Sequence, residues 1–440
     1  MSAAERRIAI LGGGVTGLSA AYHLAQQQAG EIVLFEKDGT LGGMASSFLL
    51  GDVWTENFYH FICKPDQAYL NLIHELDLDS ALRWQPTKMS YYTRGVLKQF
   101  GDPVSLLKFS PLSLNSRLQV AWAIINSKLR QDWRDLENAS CVDWLKQLYG
   151  QEAYDLLWKR ALELKFHQHM PVLSAAWIWT RTKRIAQSRR SLFHEELGYL
   201  LGGTRTLIDA LAKAIESLGV QIRRSSPVRS LEAKSGLISK VISDQGAEMF
   251  DAVIAAIPQP VLATMLPLQT SHPYVNKINA IKYIAINCLM VQTLHPLTDN
   301  FWLNISDPDI PLAGLIEYTN LNRSYHPQGL SLWYIPEYVP LDHPRYARDA
   351  QDMMAEYAPI LKAINPAFKR DWIVNMVQKR LQFAQPVCPV GFTRMLPDLQ
   401  SPFPNLLSGD TCHFWPEDRT ITDAIALGRR LAERYSTSHV

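Results

Sequence analysis

The sequence predicts an α/β protein with α+β inserts, in which the domains are interleaved along the chain. Residues 7–37 have the pattern of one βαβ unit: "IAIL", a glycine-rich turn, the helical "VTGLSAAYHLAQQQ" and the β-branched run "EIVLFEK". Residues 66–200 show helical periodicity, and residues 281–335 alternate in a way that is typical of an antiparallel sheet. Because no long Gly/Ser linker separates these stretches, we expect domains that share segments of the chain.

The charge balance limits the classes of protein to be considered. The 440 residues include 44 Lys and Arg against 42 Asp and Glu, so the formal net charge is +2. A nearly neutral chain has no overall attraction for nucleic acid, and we expect no nucleic-acid partner. No stretch of the sequence has the apolar length that a membrane span needs.

Cysteine and histidine usage indicates a reducing compartment and no metal centre. The five cysteines are odd in number and scattered, with no C-x-x-C pair: Cys63, Cys141, Cys288, Cys388 and Cys412. This distribution argues against a disulfide framework and predicts a cytoplasmic location. His167 and His169 lie two residues apart but have no third ligand nearby, so we expect no metal site.

Two segments have both a structural and a functional interpretation. One is basic and is expected to be a solvated helix face, with a docking site for an anionic substrate or lipid headgroup as the alternative; it contains Arg181, Lys183, Arg184, Arg189 and Arg190. The other is the amphipathic "RLQVAWAIINSKLR", residues 117–130. We expect a core helix here, and the alternative of a membrane-surface helix leaves peripheral membrane contact open.

The glycine-rich turn predicts a dinucleotide site. Gly12, Gly14 and Gly17 match the pattern G-x-G-x-x-G between the first strand and the first helix. In this pattern the first glycine makes a tight turn, the second lets the backbone approach a pyrophosphate, and the third lets the helix pack closely on the strand. The helix N-terminus presents free N–H groups and the positive end of its dipole to the phosphates.

Glu36 and a second glycine pair refine the identity of the nucleotide. Glu36 ends the second strand, where a carboxylate would bind a ribose hydroxyl and would disfavour a 2′-phosphate, so NADP is not expected. The pair Gly42 and Gly43 predicts a further close backbone approach near the same phosphates. A nucleotide that is wrapped on several sides and stays bound is typical of a flavin.

The C-terminal region predicts the other side of the flavin site. Gly409 and Asp410 end an apolar strand, and a helix begins behind Thr420 or Thr422. A helix start that is aimed at a flavin ring would stabilise negative charge on N1 and O2 of the reduced form. Asp410 would bind a ribityl hydroxyl.

With these motifs in this order, the chain resembles flavin-dependent oxidoreductases of the amine oxidase and protoporphyrinogen oxidase type. The resemblance rests on four patches: "AILGGGVTGLSAAYHL…VLFEK", "GTLGGMASSF", "LGGTRTLIDALAKAI…SSPVRSL…DAVIAAIPQPVL" and "NLLSGD…WPEDRTITDAIALGRRLA". It implies a Rossmann-like FAD-binding domain that is split into residues 1–65, 197–262 and 386–440. It also implies an inserted substrate domain, with a helical part at 66–196 and an antiparallel sheet part at 263–385.

The resemblance implies a set of contacts with non-covalently bound FAD. The glycines of the first turn would hold the pyrophosphate, and Glu36 the adenosine ribose. The full set of implied cofactor residues is Gly12, Gly14, Val15, Thr16, Gly17, Glu36, Lys37, Gly42, Gly43, Met44, Val228, Gly409, Asp410, Ile421 and Thr422. Met44 departs from the arginine that commonly follows the glycine pair in this group. Amine oxidases also usually have a substrate-domain lysine near the flavin, for which Lys277 and Lys282 lie in the right region.

Three residues are candidates for the catalytic site. Tyr59 and His60 lie in "TENFYHFI", which follows the second glycine pair and is expected to run back towards the flavin. Glu56 lies in the same stretch. Glu317 lies in an apolar strand, where an unpaired buried carboxylate is costly, so it either faces solvent or serves a site.

The resemblance implies oxidation of a small organic molecule, with hydride abstraction from a C–N, C–C or C–O bond by the flavin. One alternative is a flavin-dependent isomerase similar to sugar-nucleotide mutases, which needs arginines for a diphosphate; Arg181, Arg184, Arg205, Arg323, Arg380 and Arg394 leave it open. Another alternative is a non-catalytic binding protein on the same scaffold, which predicts degraded flavin motifs. The oligomeric state stays open.

Overall fold

The computed structural model describes residues 6–191, 194–325 and 329–439. Within these residues the strands are β1 (Arg7–Leu11), β2 (Glu31–Phe35), β3 (Ser47–Leu50), β4 (Val53–Glu56), β5 (Leu82–Pro86), β6 (Met89–Thr93), β7 (Val96–Phe100), β8 (Arg189–Ser191), β9 (His194–Leu200), β10 (Gln221–Arg223), β11 (Val228–Lys234), β12 (Leu237–Ser243), β13 (Gly246–Met249), β14 (Ala252–Ala255), β15 (Tyr283–Thr293), β16 (Trp302–Ile305), β17 (Gly314–Glu317), β18 (Ser331–Val339), β19 (Ile373–Pro386) and β20 (Leu406–Ser408). The α-helices are α1 (Val15–Gln26), α2 (Gln67–Glu75), α3 (Pro103–Leu107), α4 (Leu114–Leu129), α5 (Cys141–Tyr149), α6 (Gln151–Tyr154), α7 (Arg160–Phe166), α8 (Ala175–Gln187), α9 (Thr204–Ser217), α10 (Gln259–Met265), α11 (Pro273–Ala280), α12 (Ala350–Ile364) and α13 (Ile421–His439).

A five-stranded parallel sheet has the order β10-β2-β1-β14-β20. Its strands come from three separate stretches of the chain, and β1 pairs in parallel with both β2 and β14. The central strands are almost wholly buried because α1, α9 and α13 cover one face and the small sheet β11-β12-β13 covers the other. Short apolar runs such as "IAIL" are typical of parallel strands buried on both faces, and the predicted α/β fold class is confirmed.

The second large sheet has seven strands in the order β19-β15-β18-β17-β16-β6-β7. Neighbouring strands are antiparallel, except that β16 and β6 run parallel. One face packs against α12 through buried residues such as Leu289, Trp333 and Tyr357. The other face, which includes Met290 and Tyr334, packs against the chain that follows β4. The antiparallel sheet that the alternation over residues 281–335 predicts is confirmed.

The segment that is expected to be helical, residues 66–196, contains strands as well as helices. β6 and β7 form a hairpin at the edge of the seven-stranded sheet, and β5 and β8 pair with β9. The hairpin turn has Arg94 at φ 50° and Gly95 at φ 75°, a pair of positive φ values that two-residue hairpins favour. The alternating pattern of the residues on either side of the turn indicates the hairpin. The turn residues do not, because Arg-Gly is not the Asn-Gly or Asp-Gly pair that usually marks such a turn.

Helix α4 has its large apolar side chains on the solvent side. It buries small and medium side chains, Ser116, Val120, Ala123 and Ser127, against the rest of the protein. The prediction of a core helix over residues 117–130 is therefore wrong for four large apolar side chains, which are exposed: Leu118, Trp122, Ile125 and Leu129. No helix in the described ranges is long and apolar enough to cross a bilayer.

All five cysteines are buried, and none of them forms a disulfide. They are divided between two apolar clusters, one around α5 and α8 and one beneath the seven-stranded sheet. Burial raises the pKa of each thiol above its ordinary value, so the thiols are protonated.

Backbone segments touch one another at the glycine-rich turn. A Cβ on Gly17 would lie 1.9 Å from the Gly12 carbonyl oxygen, and a Cβ on Gly12 would lie 2.6 Å from the Ala256 carbonyl oxygen. A Cβ on Gly428 of α13 would lie 2.4 Å from the Thr16 carbonyl oxygen. Glycine is required at these positions because no side chain fits between α1, the strand ends and α13.

Replacement of Gly17 by alanine is expected to lower the free energy of unfolding by about 1–3 kcal/mol, since the methyl group pushes α1 away from the Gly12 carbonyl. Gly39→Ala is the control, because a Cβ there meets only Ser225 Oγ, at 3.6 Å. Urea denaturation followed by far-UV circular dichroism measures both variants. Equal stability of Gly17→Ala and the wild type would contradict the backbone contact.

Candidate functional site

The turn between β1 and α1 leaves an uncapped helix end beside open space. Gly14 is the N-cap residue of α1, no side chain caps the helix, and its first turn has no acidic residue. A Cβ on Gly14 would meet only the Gly43 Cα, at 3.9 Å. The N–H groups of the first turn and the positive end of the helix dipole therefore face a space that an anion can enter.

The second glycine pair lies directly against this turn. The Gly42 N–H donates to the Gly13 carbonyl at 2.8 Å, and Gly42 forms a parallel bridge with Gly14. Gly42 and Gly43 have φ values of 105° and 58°, a conformation that favours glycine. Met44 follows in the same short 3-10 turn. The two loops are thus joined by backbone alone, as the close spacing of the two motifs leads one to expect.

Glu36 lies at the carboxyl end of β2 and is buried. Its carboxylate accepts from the Gly13 N–H at 2.7 Å and from the Asp38 N–H at 2.9 Å. Burial raises the pKa of Glu36 above its ordinary value, and these two hydrogen bonds oppose the rise. A carboxylate has about four acceptor positions, so this one keeps capacity for a ligand hydroxyl.

Two further predicted contacts, Lys37 and Val228, lie near Glu36. Lys37 is exposed and pairs with Asp38 at 3.2 Å. Val228 begins β11, and the segment before it is tied to β2, because the Ser226 N–H donates to the Glu36 carbonyl at 2.8 Å. The structure therefore brings the start of β11 next to Glu36.

Gly409 and Asp410 follow β20 at the same edge of the parallel sheet. The Gly409 N–H donates to the Ala255 carbonyl at 3.0 Å. Asp410 accepts from the Gln259 N–H at 2.8 Å and from the Tyr283 hydroxyl at 2.6 Å. Burial would raise the pKa of Asp410, but its contacts with neighbouring side chains outweigh burial and hold the pKa below the ordinary value.

Asp410 also belongs to a group of three side chains whose ligand atoms lie within 4.8 Å of one another, together with Cys412 and His413. Both ring nitrogens of His413 are engaged: Nδ1 accepts from the Asp410 N–H at 3.1 Å, and Nε2 lies 3.2 Å from the Pro397 carbonyl. The group is therefore a capped turn, whose hydrogen bonds occupy the atoms that would bind a metal.

At the start of α13, backbone groups are more available to a ligand than side chains are. It begins at Ile421, whose side chain is buried. Thr420 Oγ1 accepts from the Asp423 N–H at 3.1 Å and caps the helix. Thr422 Oγ1 accepts from the Tyr69 N–H at 3.2 Å, so this side chain is turned towards α2.

A half-buried cluster of charges lies directly before this helix. Arg181 of α8 forms an ion pair with Asp418. The Arg419 guanidinium donates to the Tyr338 hydroxyl at 2.8 Å. Lys165 of α7 lies above the same ring, with Nζ 5.0 Å from the centre of Tyr338. Three cations from three elements therefore lie near the Asp418 carboxylate, and Arg181 forms an ion pair with it.

Burial and charge together determine how this cluster ionises. Burial would raise the pKa of Asp418, but Lys165, Arg181 and Arg419 outweigh burial and hold the pKa well below its usual range. Burial lowers the pKa of Lys165 well below the ordinary value for lysine, and Asp418 opposes this shift in part. Asp418 is therefore ionised near neutral pH, whereas Lys165 loses its proton at a lower pH than a surface lysine does.

The expectation of a solvated helix face is wrong for Arg181 and Arg184. Arg184 forms two hydrogen bonds with the buried carboxylate of Asp66, at 2.7 and 2.6 Å. The exposed fractions of the Arg181 and Arg184 side chains are 29% and 17%. This side of α8 is covered because it packs against the start of α2 and the residues that precede α13.

Aromatic rings extend the charge cluster to Tyr59. The Tyr59 ring centre lies 5.8 Å from those of both Trp302 and Tyr334, and the Arg181 guanidinium lies 5.9 Å from the Trp302 ring centre. Burial raises the pKa of the Tyr59 hydroxyl. Tyr59 and Lys165 are partly exposed, although both are strongly desolvated. We call this cluster of charges and rings the charged chamber; it consists of Tyr59, Lys165, Arg181, Trp302, Tyr338, Asp418 and Arg419.

Glu56 joins three parts of the chain beside this chamber. Its fully buried carboxylate accepts from the His60 N–H at 3.0 Å, the Thr204 N–H at 2.9 Å and the Tyr318 hydroxyl at 3.2 Å. The Tyr325 hydroxyl also donates to it, and His60 Nδ1 lies 3.2 Å away. The end of β4, the start of α9 and the segment after β17 therefore meet at one side chain, which also orients the His60 ring.

Glu317 lies apart from the other two catalytic candidates. The strand register pairs Glu317 with Trp333 on the face that packs against α12, whereas Tyr59 packs against Tyr334 on the other face. The Glu317 carboxylate accepts from the backbone N–H groups of residues 297 and 298 at 3.0 and 2.8 Å. Burial raises the pKa of Glu317 to about 7. Glu317 therefore holds a loop, and we do not retain it as a candidate.

Sequence reasoning missed three charged residues of the chamber, Lys165, Asp418 and Arg419, whereas Arg181 belongs to the basic segment that it named. Lys277 and Lys282 are exposed, whereas Lys165 is half-buried and strongly desolvated. Its position in α7 follows ordinary helical periodicity, which gives no sign of what the helix packs against. The sequence does carry one signal, since Asp418 and Arg419 stand directly before the helix that is expected to face the flavin.

The five-stranded parallel sheet, with its glycine turn between β1 and α1, is the architecture of a dinucleotide-binding domain. The chain belongs to the family of flavin containing amine oxidoreductases, whose model matches residues 15–434. The protein is an FAD-dependent oxidoreductase, and the predicted resemblance and cofactor are confirmed.

One curated relative and several solved structures match almost the whole chain. It is 22% identical over 438 residues to the 15-cis-phytoene desaturase of Synechococcus elongatus, covering 92% of this chain and 90% of that protein. It is similar in fold to an oxidoreductase from Methanosarcina mazei (TM-score 0.76, 16% identity, 97% of this chain and 100% of that one). It is also similar to reduced UDP-galactopyranose mutase (TM-score 0.75, 16% identity, 98% and 96%). At these identities the likeness between structures shows the fold alone.

The residues at the glycine turn fit FAD. The uncapped end of α1 and the open space beside Gly14 match the needs of a pyrophosphate, and the spare acceptor capacity of Glu36 matches a ribose hydroxyl. When bound, FAD supplies an acceptor for the hydride of a substrate.

Glu56→Gln is expected to lower the free energy of unfolding by about 1–3 kcal/mol, because the amide group places a donor opposite existing donors and leaves them unsatisfied. Glu232→Gln is the control: that carboxylate is exposed and pairs with Lys240 at 2.8 Å, so the change is below about 0.5 kcal/mol. Urea denaturation compares the two variants. The same loss of stability in both would contradict the role of Glu56.

Proposed function

We propose that the protein oxidises an organic molecule that carries an anionic group, by removal of a hydride from a C–N, C–C or C–O bond. The observation that carries the proposal is the charged chamber, where Arg181 pairs with Asp418 while Lys165 and Arg419 contact the Tyr338 side chain. Asp418 forms an ion pair with Arg181, so the charged forms of the desolvated Lys165 and Arg419 are unfavourable unless a further anion compensates them. A carboxylate or phosphate on the substrate supplies that anion.

The polar atoms of the chamber have room for such a ligand. Arg419 Nε and Asp418 Oδ1 are buried without a hydrogen-bond partner in the part of the chain that the structure describes. An unmet buried donor costs about 1–3 kcal/mol, so native structures keep few of them. Lys165 Nζ lies over the rings of Trp177 and Tyr338, at 4.9 and 5.0 Å, instead of beside a carboxylate.

Each wall of the chamber has its own task in this proposal. Lys165 and Arg419 bind the anionic group of the substrate. Arg181 is held in place by its ion pair with Asp418, whereas Lys165 and Arg419 adjust to the bound substrate. The rings of Tyr59 and Trp302 exclude water from the reacting carbon, where a dry environment strengthens the electrostatic contacts.

We further propose that FAD is held non-covalently by the cofactor residues that the motifs predict. The open space beside Gly14 supports the pyrophosphate contact, and Glu36 supports the ribose contact. The raised pKa values of Cys388 and Cys412 support a non-covalent cofactor, because a protonated buried thiol is a poor nucleophile. Asp410 already accepts three hydrogen bonds within the protein, which leaves it limited capacity for a ribityl hydroxyl.

The isomerase alternative needs several arginines around one diphosphate. Of the six arginines that leave it open, three are exposed, Arg323, Arg380 and Arg394, and a fourth, Arg205, is half-buried and pairs with Asp209. A fifth, Arg184, is neutralised by Asp66. Arg181 alone belongs to the charged chamber, so the geometry favours oxidation over isomerisation.

We also propose a cytoplasmic location. Five reduced thiols lie buried within the described ranges and no pair of them is bonded. A chain that folds with several free thiols is suited to a reducing compartment.

Gly14→Val is expected to fold but to bind FAD at least about tenfold more weakly, a loss of about 1.4 kcal/mol. Gly14 has an ordinary φ of −72°, and a Cβ meets only Gly43, so the fold tolerates the change. The branched side chain fills the space into which a pyrophosphate would fit. Visible absorbance measures bound FAD and far-UV circular dichroism measures folding. A folded variant that is as yellow as the wild type would exclude the site.

The substrate proposal is tested with matched pairs of carboxylates and their methyl esters, mixed anaerobically with the FAD-loaded protein while flavin absorbance is followed. We expect carboxylates to reduce the flavin and esters to react poorly. Lys165→Met is expected to raise KM for the carboxylate by at least about tenfold, as for the loss of one buried charged contact. Lys159→Met, on the exposed side of the same helical segment, is the control.

Carboxylate affinity is expected to fall as pH rises. Burial keeps the pKa of Lys165 low in the free protein, and a bound anion raises it. Below the lower pKa the lysine is charged before binding; above it, binding takes up a proton and weakens by up to about tenfold per pH unit until the higher pKa is reached. Lys165→Met would remove this dependence. A preference for esters, or the same pH profile in the variant, would contradict the proposal.

A further inference from the structure

Helix α4 exposes a continuous row of large apolar side chains. The row consists of Leu114, Leu118, Trp122, Ile125 and Leu129, and we call it the apolar stripe. The exposed surface continues onto β7 and α3, which also expose leucine and valine side chains and pack next to one another and to α4. Monomeric proteins rarely expose a contiguous apolar patch of this kind without a partner for it.

The apolar stripe points directly away from the protein. At about 100° per residue, its five members fall within an arc of about 80°. The buried residues of α4 lie on the opposite side and are small or medium in size. Trp122 and Leu129 are 60% and 70% exposed. A helix on the surface of a globular protein normally has the reverse arrangement, so packing within this chain does not explain the stripe.

Basic residues predominate in the segment that contains the stripe, and the acidic residues that directly follow it, Asp132 and Asp135, pair with Arg134 and Arg130. Residues 94–131 contain six Lys and Arg and one acidic residue, Asp102. Arg117 and Lys128 follow one edge of the stripe on α4. Lys128 is exposed, whereas the Arg117 guanidinium donates to the Leu107 and Leu112 carbonyls. Arg130 pairs with Asp135 at 2.7 Å, while the other five cations form no ion pair among the described residues. The acidic neighbour Glu152 is occupied by hydrogen bonds from two serines at the start of α4.

We propose that this surface docks the protein on a lipid bilayer that contains anionic lipids. The stripe enters the boundary between headgroups and acyl chains, and Trp122 lies at the level where tryptophan is favoured. Lys128 meets lipid phosphates along one edge, where Arg117 adds positive charge. With 16 residues, α4 is about 24 Å long and lies in the plane of the membrane.

A second copy of this chain is the other occupant to consider. A symmetric dimer would place the same patch of each copy against the other, so its basic flanks would face one another. Repulsion between like charges opposes that arrangement. An anionic bilayer carries charge opposite to that of the basic flanks. This complementarity favours the bilayer over a second copy of the chain.

Vesicle flotation of the FAD-loaded full chain tests the proposal. Vesicles of phosphatidylcholine alone are compared with vesicles of phosphatidylcholine and phosphatidylglycerol. We expect at least about tenfold stronger partitioning to the anionic vesicles, in line with several cations near the lipid surface. High salt is expected to reduce this difference because it screens the phosphates.

Two matched variants separate the apolar stripe from other exposed apolar residues. The triple variant Leu118→Ser, Trp122→Ser, Ile125→Ser is expected to lose at least about tenfold in partitioning. The control variant Leu237→Ser, Met249→Ser changes side chains on β12 and β13 that are 45% and 71% exposed, and it is expected to bind like the wild type. Unchanged flavin absorbance shows that both variants fold.

Three outcomes would overturn the docking proposal. One is the absence of binding to anionic vesicles by the wild type. The second is equal binding by the triple variant. The third is a dimer in analytical ultracentrifugation that the triple variant dissociates, since the stripe would then serve a second copy. As a separate check, brominated lipids are expected to quench part of the tryptophan fluorescence of the wild type. Trp122→Phe is expected to lack the quenched part, because it lacks the tryptophan that enters the bilayer.

Discussion

The contact of bare backbone at the first turn is the constraint on which the parallel-sheet domain depends. The Gly12 carbonyl lies where the side chain of residue 17 would be, and the Thr16 carbonyl lies where that of Gly428 would be. These contacts bring the first and last helices of the chain onto the same strand ends. The uncapped start of α1, and with it the proposed pyrophosphate site, exists because nothing larger than a hydrogen atom separates these segments.

Because the domains are interleaved along the chain, segments that are distant in sequence must be held together, and Glu56 holds three of them. Its carboxylate gathers donors from the end of β4, the start of α9 and the segment that follows β17. A buried carboxylate is tolerated only when its acceptor positions are filled, so each of these segments stabilises the position of the others. Tyr59, three residues further on, is thereby held against the seven-stranded sheet, where it forms one wall of the charged chamber.

Sequence reasoning succeeded where the signal is local and failed where it depends on which surfaces meet. β1, α1 and β2 follow from adjacent apolar runs and the glycines between them. The charged chamber does not, because Lys165, Trp302 and Arg419 come from distant elements that only the tertiary fold brings together. Periodicity revealed the apolar stripe of α4 but not the direction in which it faces. Alternation likewise does not show on which face of the seven-stranded sheet Glu317 lies, and only the strand register determines this.

The burial of the thiols gives the protein internal reporters of local opening. Alkylating reagents attack the thiolate, so a protonated, enclosed cysteine reacts only during the moments in which its surroundings loosen. Cys63 and Cys288 lie beneath the seven-stranded sheet, and Cys141, Cys388 and Cys412 lie in the helical cluster around α5 and α8. Differences in modification rate between the two sets would therefore distinguish breathing of the sheet from breathing of the helices, without any added label.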